Sequence, residues 1–374
     1  MLFFRIFFDI LFILAAVYSV FLILIFIGLC RLREGSSAGS PRVSVIVAAR
    51  DEEKNIGRCL QALAAQRYPK DRYEVLVVDD NSRDGTAGVV SRFVNDCGNV
   101  RLVRATEKSF VSSPKKNAIL CGIQESTGEV ILTTDADCIP PPGWISGMVR
   151  CFEPRVGAVA GFSPSLVGNS LRQRLIELES VCFAVVSAGA IGIGGAISCV
   201  GRNFGYLRKA FEEVGGFGAT GEVVSGDDDL LLQRIGRQGL WELRFSICPD
   251  TFVPTLPATG WGEFINKRKR HFSAGVSYSP VLRVLGALVY SYYLFILLSL
   301  PVSLVYGKFW IWLLCLGTKL LLDTPVVLKG LTLFQRQRLL RILPLAELLH
   351  IPYLLVVWPL AIWGSFQWKE RAYR

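Results

Sequence analysis

Two carboxylates, Asp135 and Asp137, flank Ala136 directly after the apolar run Val130, Ile131, Leu132, Thr133, Thr134. Such a run reads as a buried strand. The pair then stands at its C-terminal end, the edge of a parallel α/β sheet where strand ends and helix N-termini open onto a common crevice. Two hard oxygen ligands, in a chain with only two histidines, suit Mg²⁺ or Mn²⁺ carrying a phosphate-bearing substrate. An Asp-x-Asp tripeptide at a strand end is also common without a metal, so its neighbours decide. A second acidic group, Asp227-Asp228-Asp229, lies between Gly226 and Leu230-Leu231-Leu232, which places it at a helix start. Capping and the helix dipole favour one acidic residue there; three in succession exceed what a cap needs.

The elements that must position these groups alternate between strand and helix. Val43 to Ala48 is the first strand, and Lys54 to Gln66 carries Ile56, Leu60, Leu63 and Ala64 at helical spacing. Glu74 to Val78 is the next strand, ending in Asp79-Asp80-Asn81-Ser82, and Arg83 to Thr86 turns into a helix. Val100 to Val103 and a helix around Asn117 to Glu125 lead to the strand that delivers Asp135. The order predicts an α/β domain over residues 41–272 with a mainly parallel, Rossmann-like sheet. No GxGxxG follows the first strand and no GxxxxGK[ST] occurs, so the dinucleotide and P-loop fingerprints are missing.

The rest of the chain is lipid-like in composition. Hydrophobic residues make up 51% and charged residues 19%, fewer charges than the roughly 25% of a soluble domain. Ile10 to Cys30 has no charge and is long enough to cross a bilayer, too long for a signal-peptide core, so residues 1–33 read as an N-terminal anchor. Arg31 and Arg33 follow it and place the central domain in the cytoplasm. Residues 278–367 hold two apolar segments, Val281 to Tyr306 and Phe309 to Leu328, joined by Gly307-Lys308. A third, Ile342 to Phe366, is broken by Pro344, Pro352 and Pro359 and reads as a kinked span or a re-entrant segment. Two to three C-terminal helices are therefore expected, before a basic tail at 368–374. The ten cysteines form no CxxC pair, which argues against a zinc site or a disulfide framework. The net charge of +10 comes without a nucleic-acid signature. Its clusters, Lys267 to Arg270 and Arg336, Arg338, Arg341, adjoin apolar segments, where anionic lipid headgroups suffice as partners.

Four segments in order, Pro41 to Glu53 (PRVSVIVAARDEE), Val77 to Thr86 (VVDDNSRDGT), Thr133 to Asp137 (TTDAD) and Ser225 to Leu232 (SGDDDLLL), resemble the motifs of family 2 glycosyltransferases with the GT-A fold, in particular the membrane-anchored bacterial type. The resemblance implies a nucleoside pocket made by Ala48, Arg50, Glu52 and Asp80. It makes Asp137 the direct metal ligand and gives Asp135 a ribose contact or a second coordination position. Lys115 and Lys116, at the start of the helix before the metal strand, stand where an ammonium reaches the diphosphate or base. A solvated charge pair is the alternative.

In the family an acidic pair supplies the catalytic base as its second member, which falls on Asp228. Asp229 is the alternative if the triplet shifts by one, and Asp227 takes the place of the family's usual Glu. The family's Gln-x-x-Arg-Trp segment falls on Lys267-Arg268-Lys269-Arg270-His271, where Arg268 or Arg270 fits the diphosphate through bidentate contacts. The missing Trp weakens the case for a polymerising enzyme. Trp261 either offers an aromatic surface or anchors its helix at the interface.

Together these features imply a multi-pass enzyme of the inner membrane with a cytoplasmic catalytic domain. It uses Mg²⁺ or Mn²⁺ and transfers one sugar, with inversion, from a UDP- or GDP-linked donor to a lipid or envelope glycan. A processive polysaccharide synthase with coupled export is the nearest rival. An inactive nucleotide-sugar-binding membrane subunit is a third reading.

Overall fold

The computed structural model describes residues 2–106, 111, 113–166, 168, 170–221, 223, 226–257, 260–368 and 371–373. Ser225 of the acidic segment and Lys369, Glu370 and Arg374 of the tail lie outside the described residues. A long helix α1 (Leu2–Arg31) precedes β1 (Val43–Ala49), α2 (Ile56–Ala64), β2 (Tyr73–Asp79), α3 (Thr86–Asp96), β3 (Val100–Arg104), α4 (Pro114–Glu125) and β4 (Val130–Asp135). There follow α5 (Trp144–Arg150), β5 (Val156–Gly161), α6 (Leu171–Gly192), β6 (Phe204–Leu207), α7 (Arg208–Glu213), α8 (Asp229–Arg237), β7 (Glu242–Ser246) and α9 (Trp261–Ser273). The helices α10 (Pro280–Val305), α11 (Phe309–Leu333) and α12 (Leu343–Trp363) complete the membrane-like part, before the short pair β8 (Phe366–Trp368) and β9 (Arg371–Tyr373).

The sheet runs β3-β2-β1-β4-β6-β5-β7. Only β6 opposes its neighbours; the other pairings are parallel. In β1, Val43, Val45 and Val47 pack on one face with α2 and α5, whereas Ile46 packs on the other against α4. Burial on both faces explains why these strands read as continuous apolar runs rather than alternating ones. Parallel register sets the functional edge: Ala48 pairs with Asp135, and Ala49 with Asp79.

Five described helices are long and apolar enough to cross a membrane by length and composition: α1, α6, α10, α11 and the segment containing α12. Helix α6 has no counterpart in the sequence reading, which stopped at the strand motifs. Arg172, Arg174, Glu177 and Glu179 occupy its first half, and a Ser170/Gln173 capping box starts it. Its C-terminal half crosses α1 at glycines: a Cβ on Gly189 would lie 2.6 Å from an Ile25 methyl, and one on Gly192 would strike the Gly28 carbonyl. Small residues let two backbones approach this closely. Helix α12 runs through Pro352 and Pro359 without interruption. Arg336 and Arg338, expected beside lipid headgroups, instead grip the buried Glu177 carboxylate at 2.8 and 2.9 Å, tying the α11–α12 connection to α6.

Among the membrane-like helices a polar chain passes through an apolar setting. Lys319 on α11 donates to Asp323 at 2.6 Å and to Glu347 on α12. Tyr18 on α1 donates to Asp323 at 2.6 Å and meets Tyr293 on α10 at 3.0 Å, and Tyr293 lies 3.4 Å from His350 Nδ1 on α12. Charges this deep are tolerated only as partners. Lys319→Met leaves two buried carboxylates unpaired and is expected to cost about 3–5 kcal/mol. Thermal melting in detergent would read the loss, and D323N/E347Q in the same background should recover most of it.

Candidate active site

At the sheet edge, the loops after β1 and β2 are knitted together by side chains that grip backbone. Asp51 and Asn81 both adopt left-handed conformations, with φ of 51° and 56°. The Asp51 amide donates to the Ser82 hydroxyl at 3.1 Å, and the Arg83 amide donates to the Asp51 carboxylate at 2.8 Å. The Glu52 amide donates to Thr86 Oγ1 at 2.8 Å. Asp84 accepts from the Glu53 amide at 3.1 Å and the Thr86 amide at 3.0 Å, a turn-forming role. This lattice presents Arg50 to Asp80, whose carboxylate it meets at 3.2 Å. Ala48, Arg50, Glu52 and Asp80 therefore share one rim.

Lys115, at the start of α4, reaches across that rim. Its ammonium lies 3.1 Å from Asp135 Oδ1 and 3.1 Å from Asp227 Oδ2, so a single cation joins the strand-end carboxylates to the acidic triplet. Burial alone would lower the Lys115 pKa, but Asp135, Asp227 and Asp228 together hold it well above the ordinary lysine value. Asp135 shows the reverse: burial raises it, and Lys115 and Arg202 bring it below the usual carboxylate range. Removal by Lys115→Met takes away the cation that touches both Asp135 and Asp227 and leaves only the more distant Arg202 and Arg270 to offset Asp135. The expected loss is about 3–5 kcal/mol of stability at pH 8, seen as a lower melting temperature that recovers as the pH is reduced.

Asp135, Asp137 and Cys138 bring ligand atoms within 4.8 Å of one another. Burial, the Asp135 charge and the Glu52 charge raise Asp137 above its ordinary value. A divalent cation would remove that repulsion, so the donor set fits one. Burial also pushes the Cys138 thiol well up, which keeps it protonated and leaves the two carboxylates as the hard ligands.

The three carboxylates of the triplet are held differently. Asp229 is 1% exposed and fully engaged, accepting from Ser198 Oγ at 2.9 Å, the Cys199 amide at 2.7 Å and Tyr278 at 2.5 Å. It anchors the start of α8. Asp227 is neutralised by Lys115. Asp228 accepts from the Gly201 amide at 2.5 Å and the Asp229 amide at 2.8 Å. Its carboxyl is pushed up to about 7 by burial and by the charges of Asp229 and Asp227, against the pull of Lys115 and His271. A Cβ on Gly201 would come 3.0 Å from Asp227 and 3.2 Å from Asp228, so a larger residue here would crowd both carboxylates.

The remaining basic residues fall into different environments. Lys116 is buried and donates to the Thr220 and Val223 carbonyls at 2.7 Å each, holding the segment before the triplet. Burial lowers it to about 8. Arg268 is paired with Glu179 on α6 and lies over the rings of Phe183 and Phe264, a clamp between α6 and α9. Arg270 lines the acidic pocket and acts on Lys115 and Asp135 electrostatically. Trp261 is 51% exposed and packs edge-on against Phe264 at 5.9 Å.

Arg202 was absent from the sequence reading. It donates to Ser163 at 2.6 Å and stands in the field of both Asp135 and Asp137. A lone arginine in the Gly201–Asn203 turn has no periodicity or spacing to single it out. Lys115, Asp135, Arg202, the triplet, Arg270 and His271 enclose one pocket, which opens into a larger cleft between α6 and α9.

A mixed sheet that brings a strand-end carboxylate pair to an acidic helix start defines a nucleotide-sugar-binding domain of the GT-A type. The glycosyl transferase family 2 model matches residues 44–215, and the glycosyl transferase family group 2 model matches residues 130–327, more than half of the chain. The chain belongs to the family 2 glycosyltransferases. It is 33% identical over 197 residues to a probable glycosyltransferase, YdaM, of Bacillus subtilis, covering 52% of this chain and 46% of that protein. It is 27% identical over 212 residues to a beta-monoglucosyldiacylglycerol synthase of Synechocystis, covering 54% and 41%. The chain thus spans about half the length of the curated relatives it matches. Among solved structures, the mannosyltransferase PcManGT of Pyrobaculum calidifontis, in complex with GDP-Man and Mn²⁺, superimposes with a TM-score of 0.55. The identity is 20%, over 92% of this chain and 98% of that one, a likeness of fold.

Proposed function

We propose that this chain is a membrane-bound, divalent-cation-dependent, inverting glycosyltransferase that moves one sugar from a UDP- or GDP-linked donor to a hydroxyl of a lipid or envelope glycan. The observation that carries this reading is the Lys115 bridge between Asp135 and Asp227, with Asp228 lining the same pocket as Asp135. The nucleoside rests on the rim of Ala48, Arg50, Glu52 and Asp80, and the diphosphate faces Lys115, Arg202 and Arg270. Asp135 and Asp137 would hold Mg²⁺ or Mn²⁺, which neutralises the departing diphosphate. Asp228 accepts the proton of the acceptor hydroxyl. The oxygen forms its bond to the anomeric carbon as the bond from that carbon to the diphosphate breaks, and the nucleoside diphosphate leaves. One displacement with one base inverts the anomeric centre.

Support for a lipid acceptor comes from α6, which carries one wall of the cleft and packs on α1, and from the name of the Synechocystis relative. The basic flank Arg31 and Arg33 favours a cytoplasmic sheet domain. The test is a screen of UDP- and GDP-sugars with Mn²⁺ or Mg²⁺ and a membrane lipid extract, reading release of nucleoside diphosphate. Silence with every donor rejects the reading. A polymer rather than a single-sugar product would favour the processive alternative.

A further inference from the structure

Tyr278 touches the acidic triplet from outside the pocket that the triplet lines. It follows the turn Ala274–Ser277 and stands directly before Ser279, whose hydroxyl accepts from the Leu282 amide at 3.3 Å and caps α10. Two contacts fix it there. A Cβ on Gly226 would come within 3.3 Å of the Ala274 Cβ, so the turn sits against the start of the triplet. The Tyr278 hydroxyl donates to Asp229 Oδ2 at 2.5 Å. The opposite oxygen, Oδ1, accepts from Ser198 Oγ at 2.9 Å and from the Cys199 amide at 2.7 Å. Three donors thus converge on the carboxylate next in sequence to Asp228.

Hydrogen bonds donated to a carboxylate favour its charged form. Burial raises Asp229, and the bonds from Tyr278, Cys199 and Ser198 pull it back, leaving it at about 6 where Asp228 is at about 7. As the pH rises, Asp229 therefore becomes charged first. Burial and the Asp229 charge push the Tyr278 phenol well up, so it stays a donor. Around Asp228 stand Asp227 and Asp229 in the triplet, Lys115 and Lys116 from α4, Arg202 from the turn before β6, and Arg270 and His271 from α9. After burial, the Asp229 charge acts most strongly on Asp228, and it raises it. We propose that Tyr278 is a positioning residue for the catalytic base: from the head of α10 its hydroxyl holds the charged Asp229 carboxylate against Asp228, which strengthens the pull of Asp228 on the acceptor proton. The proposal rests on the reading of Asp228 as the base and adds the group that sets its strength. The acceptor proton still goes to Asp228, and Tyr278 keeps its own.

The test uses the full-length protein in detergent with the donor found by the screen, saturating Mn²⁺ and a membrane lipid extract. It follows kcat/KM across the acid limb of the pH profile. In Tyr278→Phe, Asp229 loses a donor and holds a proton to higher pH, so Asp228 faces a neutral neighbour. The limb is expected to move about one pH unit toward acid. The variant's kcat/KM relative to the wild type should then be about fivefold higher at pH 6 than at pH 8. At pH 8 its kcat should fall about threefold, as a weaker base gives, while affinity for nucleoside diphosphate changes less than about twofold. Ser198→Ala removes a donor from the other oxygen of Asp229 and should shift the limb in the same direction.

A limb that stays in place or moves toward base in Tyr278→Phe overturns the proposal, however far overall activity falls. If Tyr278→Phe does not fold, Ser198→Ala decides by the same criterion. A wild-type protein that releases no nucleoside diphosphate from any donor, or an Asp228→Asn variant with full activity, overturns the parent reading instead, which separates the two failures.

Discussion

Replacing Asp228 by Asn is expected to lower sugar transfer by about 10²–10⁴-fold, the usual range for losing a general base, while binding of a nucleotide sugar changes little. The Gly201 and Asp229 amides donate to different oxygens of the side chain, at 2.5 and 2.8 Å, so the isosteric amide keeps one of these bonds, gives up the other and loses the basicity. Full activity in this variant would reject the assignment. The same substitution should also change how stability depends on pH. The folded-state value of about 7 lies above the roughly 3.9 of an unfolded aspartate. The proton on Asp228 therefore favours the folded state below about pH 4, and that contribution is lost as the pH rises through 7. The melting temperature of Asp228→Asn relative to the wild type should therefore rise between pH 4 and pH 8, because only the wild type has to bury a charge there. In kinetics, the acid limb of kcat/KM should fall near pH 7 rather than in the ordinary carboxylate range.

The second large effect is expected from Asp137→Asn. Asp137 is the carboxylate whose charge is raised in energy by Asp135 and Glu52, whereas Asp135 is already compensated by Lys115 at 3.1 Å. Of the two, Asp137 has the larger unmet need for a cation. Its removal should weaken Mn²⁺ binding and lower transfer by about 10³-fold, consistent with the several kcal/mol that a bound metal gives to a charged transition state. Chelation of the wild type should reproduce the loss, with recovery on adding back Mn²⁺. Residual activity in Asp137→Asn should then be insensitive to the chelator. Wild-type transfer that proceeds unaltered in excess chelator would dismiss the cation from this site.

The two effects differ in how far the sequence alone supports them. The strand that ends at Asp135 and the helix start after Gly226 are local features. Apolar runs, breaker residues and acidic spacing are read along the chain, and neighbouring residues set them. Membrane-like segments are equally local, because twenty apolar residues in a row need no partner to be recognised. Helix α6 escaped notice since its apolar half is shorter than that and its first half carries four charges. Its apolar face becomes intelligible against α1 and α11, on which it packs.

By itself, then, the sequence determined the class of fold, the existence of two acidic groups, and the membrane-like ends, because each is encoded by periodicity or composition over a short stretch. How each carboxylate is held was decided by the tertiary structure. Asp227, Asp228 and Asp229 are chemically identical and adjacent. They differ only because Lys115 arrives from α4, the Gly201 amide from the turn before β6, and Tyr278 from beyond α9. Arg268 and Arg270 likewise look interchangeable in a basic run, until α6 brings Glu179 to one of them and the pocket takes the other. Crossovers in a sheet with one reversed strand bring distant residues together, and only that geometry sets the burial and charge that distinguish one carboxylate from the next.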